Sequence, residues 1–178
     1  MSTESISEIK GLVVNSLLTN ATITSVEKCL QMCNLQMRVV GVSQIPIQFP
    51  TTLVTGMIGL SGKCTGFISL AMSERVAINA VSGLSMESYK TINAQVIDGV
   101  GEITNIIAGG IKTKLYNTQW MINNITIPSV ILGNNYQISY SKGIEYSSIL
   151  FEIADADALT IQDRVFMVTT SLIQTTNA

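Results

Sequence analysis

Apolar residues recur at three- and four-residue spacing early in the chain: Ile9, Leu12, Val13 and Leu17, then Val26, Cys29, Leu30 and Cys33. That period predicts helix from Ile6 to about Met32, interrupted where the polar Asn20 to Thr24 segment intervenes. The β-branched alternation of "LQMRVVGVSQIPI" predicts a strand, with Pro46 confining its end to an edge or an exit. "TLVTGMIGL", "SGK" and "CTGFISLAM" read as strand, tight turn and strand. Ser73 is placed to N-cap a short helix, "SERVAINAVSGL", with Gly83 at its stop. A long helix follows, from about Lys90 to Leu115. Beyond it, the extended pieces "WMINNITI", "SVILG" and "QISYSKG" lead to a stronger strand, "YSSILFEIA". The loop "DADALT" and a closing strand, "RVFMVTTSLI", complete the chain. Strand pairs on both sides of a helical centre predict an α+β fold in which two similar halves share one sheet, within a single domain spanning 1–178.

Composition narrows the functional classes. Apolar residues make up 47% of the 178, but charged ones only 12%, about half the usual share of a soluble domain. So little charge predicts that part of the surface is covered, most simply by self-association. A net charge of -2 without any cluster of Lys and Arg excludes nucleic acid as a partner. No apolar run approaches the roughly 18 to 20 residues that cross a bilayer, and "MSTESISEIKG" lacks the pattern of a secretory leader. The expected setting is therefore cytoplasmic, away from membranes. Histidine is absent, and with it the commonest general base and metal ligand. Cys29, Cys33 and Cys64 supply one thiolate fewer than a structural zinc requires. No metal site or cofactor is expected, and the cysteines read as core residues.

Two glycine-rich stretches imitate nucleotide loops. "GMIGLSGKCT" has Met57 where a phosphate loop needs glycine and Cys64 where it needs Ser or Thr, so Ser61 to Lys63 reads as a hairpin turn. "GVGEIT" carries Thr104 in place of the third glycine of a dinucleotide fingerprint and follows no strand.

The candidate chemistry lies on the long helix. At about 100° per residue, Val96, Val100, Ile103, Ile107 and Ile111 share one apolar arc. Asp98, Glu102, Asn105, Gly109 and Lys112 form a stripe opposite it, flanked by Gly99 and Gly101. Each interior glycine weakens a helix by about 0.8 to 1 kcal/mol relative to alanine, so Gly99, Gly101, Gly109 and Gly110 together sacrifice roughly 3 to 4 kcal/mol. Close approach of another surface accounts for that loss. One reading makes the surface a partner protein that receives Glu102 and Asn105, one turn apart. The other makes it a neighbouring helix of the same chain, leaving Glu102 and Asn105 as ordinary solvated residues.

Asp98-x3-Glu102-x2-Asn105, followed after 22 residues by Pro128, resembles the signature of the CheC/CheX/FliY phosphatases of bacterial chemotaxis. At average composition such a match arises by chance in roughly a few per thousand chains of this length. Gly109, the strand pair before "SERVAINAVSGL", and "ITIPSVILG" are also similar to that family. Glu102 to Asn105 is the one Glu-x2-Asn in the chain, which resembles CheX rather than the two-motif CheC.

The resemblance implies a CheC/CheX-like fold, with a largely antiparallel sheet of about six strands and long helices packed on it. It also implies a homodimer whose sheet continues between subunits. The implied activity is hydrolysis of the aspartyl phosphate of a phosphorylated CheY-like response regulator, with Asn105 positioning the attacking water and Glu102 pairing with a lysine of the regulator. Mg²⁺ would belong to the regulator. Asp98, Gly101, Gly109 and Lys112 are the expected partner-binding residues, with Asp98 open to a second reading as a plain surface residue. Pro128 is expected to shape the strand after it. The competing function is a non-catalytic module that binds a receiver domain or the flagellar switch.

Overall fold

The structure, a computed structural model, describes residues 15–44, 54–133 and 143–175. Its first helix, α1 (Ser16–Met32), runs unbroken through the segment expected to interrupt it. The side-chain chemistry explains the difference. Thr22, Thr24 and Ser25 turn their hydroxyls back to the carbonyls of Leu18, Asn20 and Ala21, at 2.9, 2.8 and 2.7 Å. Polar residues that satisfy themselves on the helix backbone can be buried in it. Asn15 caps the start by accepting from Leu18 N–H at 3.2 Å. The helix expected from Ile6 to Val14, the Pro46 exit and most of "QISYSKG" lie outside the described residues.

The second helix, α2 (Glu74–Ser85), starts at the expected cap, with Ser73 Oγ accepting from Val76 N–H at 3.2 Å. Gly83 does not stop it. The helix continues to Ser85, and Met86 makes the left-handed turn with φ of 58°. Gly83 is instead a packing residue, since a Cβ there would overlap the Cys33 carbonyl at the end of α1. The third helix, α3 (Ala94–Lys114), begins later than expected, where Asn93 accepts from Val96 N–H at 2.9 Å.

Seven strands form one antiparallel sheet: β1 (Met37–Ser43), β2 (Val54–Gly62), β3 (Cys64–Met72), β4 (Ile122–Ile125), β5 (Ser129–Leu132), β6 (Glu145–Ile153) and β7 (Val165–Gln174). The order across the sheet is β1-β6-β7-β3-β2, with β4 and β5 sharing the outer side of β2. Seven strands thus fill six positions, because the edge beside β2 is split in two. The helices cover the face where Ile58, Ile68, Leu70, Val168 and Ile149 meet Leu18, Val26, Val100 and Ile107 in one core. Phe151 and Phe166 stack there across β6 and β7, with centroids 5.1 Å apart.

The two halves are visible in the topology. Helix α1, edge strand β1 and hairpin β2–β3 are followed, after α2, by helix α3, the split edge β4/β5 and hairpin β6–β7. The hairpins join at the centre through β3 and β7. Each edge strand then crosses over, so that β1 pairs with β6 and β4/β5 pairs with β2. Neither half completes its own sheet.

Helix α3 seats on β2 through one close contact. Gly56 of β2 faces Thr104, which is fully buried and donates to Val100 O at 2.7 Å. A Cβ at Gly56 would overlap the Thr104 hydroxyl. Elsewhere Arg75 holds Asp155 through two hydrogen bonds, of 2.5 and 3.0 Å, and Asn79 adds a third at 2.9 Å. These bonds, Arg75 foremost, lower the Asp155 carboxyl to about 2.

Gly56→Ala is expected to lower stability by about 1–3 kcal/mol through overpacking, read from the urea midpoint. Asp155 ionises at lower pH in the fold than the ordinary value of about 3.9. Its pairing therefore stabilises the protein above about pH 4 and is lost as pH falls toward 2. Asp155→Asn is expected to flatten the stability profile across that window, measured by urea unfolding at stepped pH.

Candidate functional site

The apolar arc of α3 lies where its spacing predicts. Val96, Val100, Ile103, Ile107 and Ile111 are each at most 1% exposed. Every such side chain contributes about 1.5–3 kcal/mol on leaving water, so together the five outweigh the glycine penalty. The opposite stripe faces outward: Asp98 and Glu102 are exposed, while Asn105, Gly109 and Lys112 are half-buried. None of the four side chains in it makes a hydrogen bond or ion pair with another described residue.

Elements on both sides wall the stripe. Gly99 lies against Val81 of α2, where a Cβ would come within 2.8 Å of Cγ2 and closer still to Cγ1. Gly110 lies against Ser25 of α1, with 2.8 Å to Oγ and 2.9 Å to Cβ. These two glycines therefore serve packing within the chain, and partner clearance does not explain them. Gly101 is buried as well, with Pro128 and Val130 over it at 3.6 and 3.9 Å. It is turned into the contact between α3 and the sheet edge, so the expectation that Gly101 touches a partner is corrected. Gly109 alone of the four has nothing within 4 Å of a Cβ position, which leaves open space over the backbone beside Asn105 and Lys112.

Asn105 lies four residues from Gly101 and so shares the Pro128 side of α3. Glu102 lies toward α1, close enough for its charge to act on Cys29. The Cys29 thiol is pushed far up, first by its hydrogen bond with Cys33, then by burial and then by the charges of Cys33 and Glu102. It points at Ile103 O from 3.9 Å and stays protonated, which makes it packing rather than a nucleophile. Among the described residues no group of three or more His, Cys, Asp or Glu converges as a metal site would need. No helix among them is long and apolar enough to cross a membrane.

The stripe can therefore offer two carboxylates, a carboxamide and an ammonium, free of partners among the described residues, to a surface that approaches α3. A profile described as "Chemotaxis phosphatase CheX" matches residues 54–152, more than half of the 178-residue chain. The chain belongs to the CheX family. That match spans the hairpin β2–β3, both later helices and the split edge, and so includes the whole stripe. No curated protein matches the chain significantly.

Solved structures agree on the CheX/CheC-like fold. A CheC-like superfamily protein from Shewanella sp. PV-4 superposes with a TM-score of 0.73 at 22% identity, covering 89% of this chain and 99% of its own. A chemotaxis protein CheX from Vibrio vulnificus gives 0.71 at 23%, covering 87% and 98%. A Borrelia burgdorferi CheX, solved in complex with CheY, BeF3 and Mg²⁺, gives 0.63 at 24%, covering 89% and 96%.

The glycine pair separates the two uses of small residues on this helix. Gly109→Ala is expected to stabilise the protein by up to about 1 kcal/mol, since only helix propensity changes. Gly110→Ala is expected to destabilise it by about 1–3 kcal/mol, because Ser25 is buried and bonded to Ala21 O. Parallel urea titrations of the two variants read the difference.

Proposed function

We propose that this chain is a phosphatase that hydrolyses the aspartyl phosphate of a CheY-like response regulator in chemotaxis signalling. The observation that carries the reading is the free Glu102–Asn105 pair on the walled, outward stripe of α3 in a CheX-family chain. A related CheX solved with CheY supports the choice of partner.

The chemistry suits these residue types. Phosphoryl transfer passes through a loose transition state with little covalent work for the protein, so placing water in line behind phosphorus supplies most of the rate. The water oxygen bonds to phosphorus as the bond to the aspartyl oxygen breaks. Aspartate leaves as its carboxylate, and the water proton goes to phosphate and solvent. A carboxamide can accept from that water and donate to it without removing the proton. Asn105 takes this role, half-buried beside the sheet edge and free of internal bonds.

Glu102, the exposed anion one turn earlier, pairs with a lysine of the regulator and fixes the approach of α3 to the phosphate. Asp98 and Lys112 extend the docking contact along the stripe, and the gap over Gly109 lets the partner come close. Mg²⁺ is held by the acidic pocket of the regulator and supplies charge neutralisation on the phosphoryl oxygens. The protein works in the cytoplasm as a homodimer in this reading.

Two variants test it with a phosphorylated CheY-type receiver. Asn105→Ala is expected to reduce accelerated dephosphorylation by about 10²-fold while Kd stays near the wild-type value. Glu102→Ala is expected to raise Kd at least about tenfold and to slow turnover as well. Wild-type turnover in Asn105→Ala would refute the water-positioning role. Binding by the wild type without faster decay would assign the chain to the receiver-binding adaptors instead.

A further inference from the structure

The sheet edge beside the stripe carries an irregularity that the proposed reaction does not itself explain. Leu60 and Met57 of β2 face Ile125 and Ser129, so three steps along β2 are matched by four along the edge. One residue is inserted, which makes a β-bulge, a device that re-aims side chains and clusters near functional sites. Regular pairing from Ile125 would continue Thr126 opposite Gly59 and Ile127 opposite Ile58, a core residue 1% exposed. The insertion changes that outcome. Pro128 takes the inward place, its ring 3.6 Å from a Cβ position at Gly101, and Ile127 is left 87% exposed. Its neighbours Ile125 and Val130 still pack on the core.

Hydrogen bonds lock this arrangement. Thr126 N–H donates to Gly59 O at 2.9 Å, and Gly59 N–H donates to the Thr126 hydroxyl at 2.9 Å. The same hydroxyl donates to Ile127 O at 3.1 Å. A held backbone thus presents an isoleucine to water, next to the proline that lies over Gly101.

We propose that Ile127 is an apolar docking residue for the receiver domain, inserting into an apolar recess of the regulator next to the phosphorylated aspartate. This rests on the receiver-directed reading of the Glu102–Asn105 stripe. The occupant is a folded surface rather than a strand from a second copy, because a bulge and a proline blunt an edge against further strand pairing. Continuity with the stripe identifies the same partner: a surface that reaches Asn105 over the Pro128 wall meets Ile127 at its rim. An isoleucine that leaves water completely at such a contact contributes about 1.5–3 kcal/mol, which is at least about tenfold in affinity.

The test uses the full chain and a CheY-type receiver loaded with beryllofluoride and Mg²⁺ for binding, and the phosphorylated receiver for turnover. Ile127→Asp is expected to raise Kd and KM at least about tenfold while kcat at saturation is retained. Ile127→Leu is expected to keep Kd within about twofold, since apolar contact is preserved. The thermal midpoint of Ile127→Asp stays at the wild-type value, because the side chain lies outside the core. Wild-type Kd in Ile127→Asp overturns the proposal, and so does conversion of a dimer to monomers by that change, which would assign Ile127 to self-association. If the wild type binds and Ile127→Asp weakens binding but neither speeds decay, the docking role stands while the phosphatase reading fails. Absence of wild-type binding removes both.

Discussion

Helix α3 is held at close range on three sides, and the exposed stripe depends on that hold. Gly99 admits Val81 of α2, Gly110 admits Ser25 of α1, and Gly101 lies beneath Pro128 of the sheet edge. Below, Gly56 lets the buried Thr104 reach the sheet. An alanine at Gly99, Gly110 or Gly56 would push the helix outward or rotate it, and a rotation of one residue spacing is about 100°. The angular placement of Glu102 and Asn105 is therefore set by the contacts of the residues around them on the helix. Close packing makes such a setting stiff, because interiors have few voids into which a helix could shift.

The pairing of hairpins at the sheet centre gives this seat a symmetric frame, and the chain uses the frame unequally. Helices α1 and α3 hold corresponding places in the two halves, both N-capped by Asn, Asn15 and Asn93. Only α3 carries a carboxylate and a carboxamide three apart on its outer face. Helix α1 presents Asn20, Glu27 and Lys28 outward and uses Ser25 and Cys29 to lie against its partner. One half turns a polar stripe outward, while the other lies against it.

Much of this was legible in the sequence because periodicity and spacing are local properties. The arc Val96 to Ile111, the Ser73 cap, the hairpin around Lys63 and the Glu102-x2-Asn105 motif all depend on residues within one or two turns of each other. What escaped depends on contacts between distant segments. The glycines of α3 left a partner and a neighbouring helix as equal readings because the sequence does not say that Val81 and Ser25 arrive beside Gly99 and Gly110. Gly83 looked like a stop because its true neighbour, the Cys33 carbonyl, belongs to another helix. The exposure of Ile127 was hidden for the same reason, since a bulge exists only relative to the register of β2. Its one local sign was the proline that follows, which restricts the residue before it to extended backbone.

The exchange of edge strands has a consequence for how the protein is made. Strand β1 leaves the ribosome well before its partner β6, with Met37 opposite Ile153. At about 5 to 20 residues per second, the interval between their synthesis is on the order of 6 to 23 s. Throughout it β1, with Val39 and Val40 still 40% and 45% exposed in the finished fold, has no strand to pair with. The charge of Arg38 and the register break between Val39 and Gly41 are features that discourage wrong partners during such a wait. Since each hairpin is flanked by an edge strand from the other half, the sheet under α3 is finished only when β6 and β7 have joined β1 and β3.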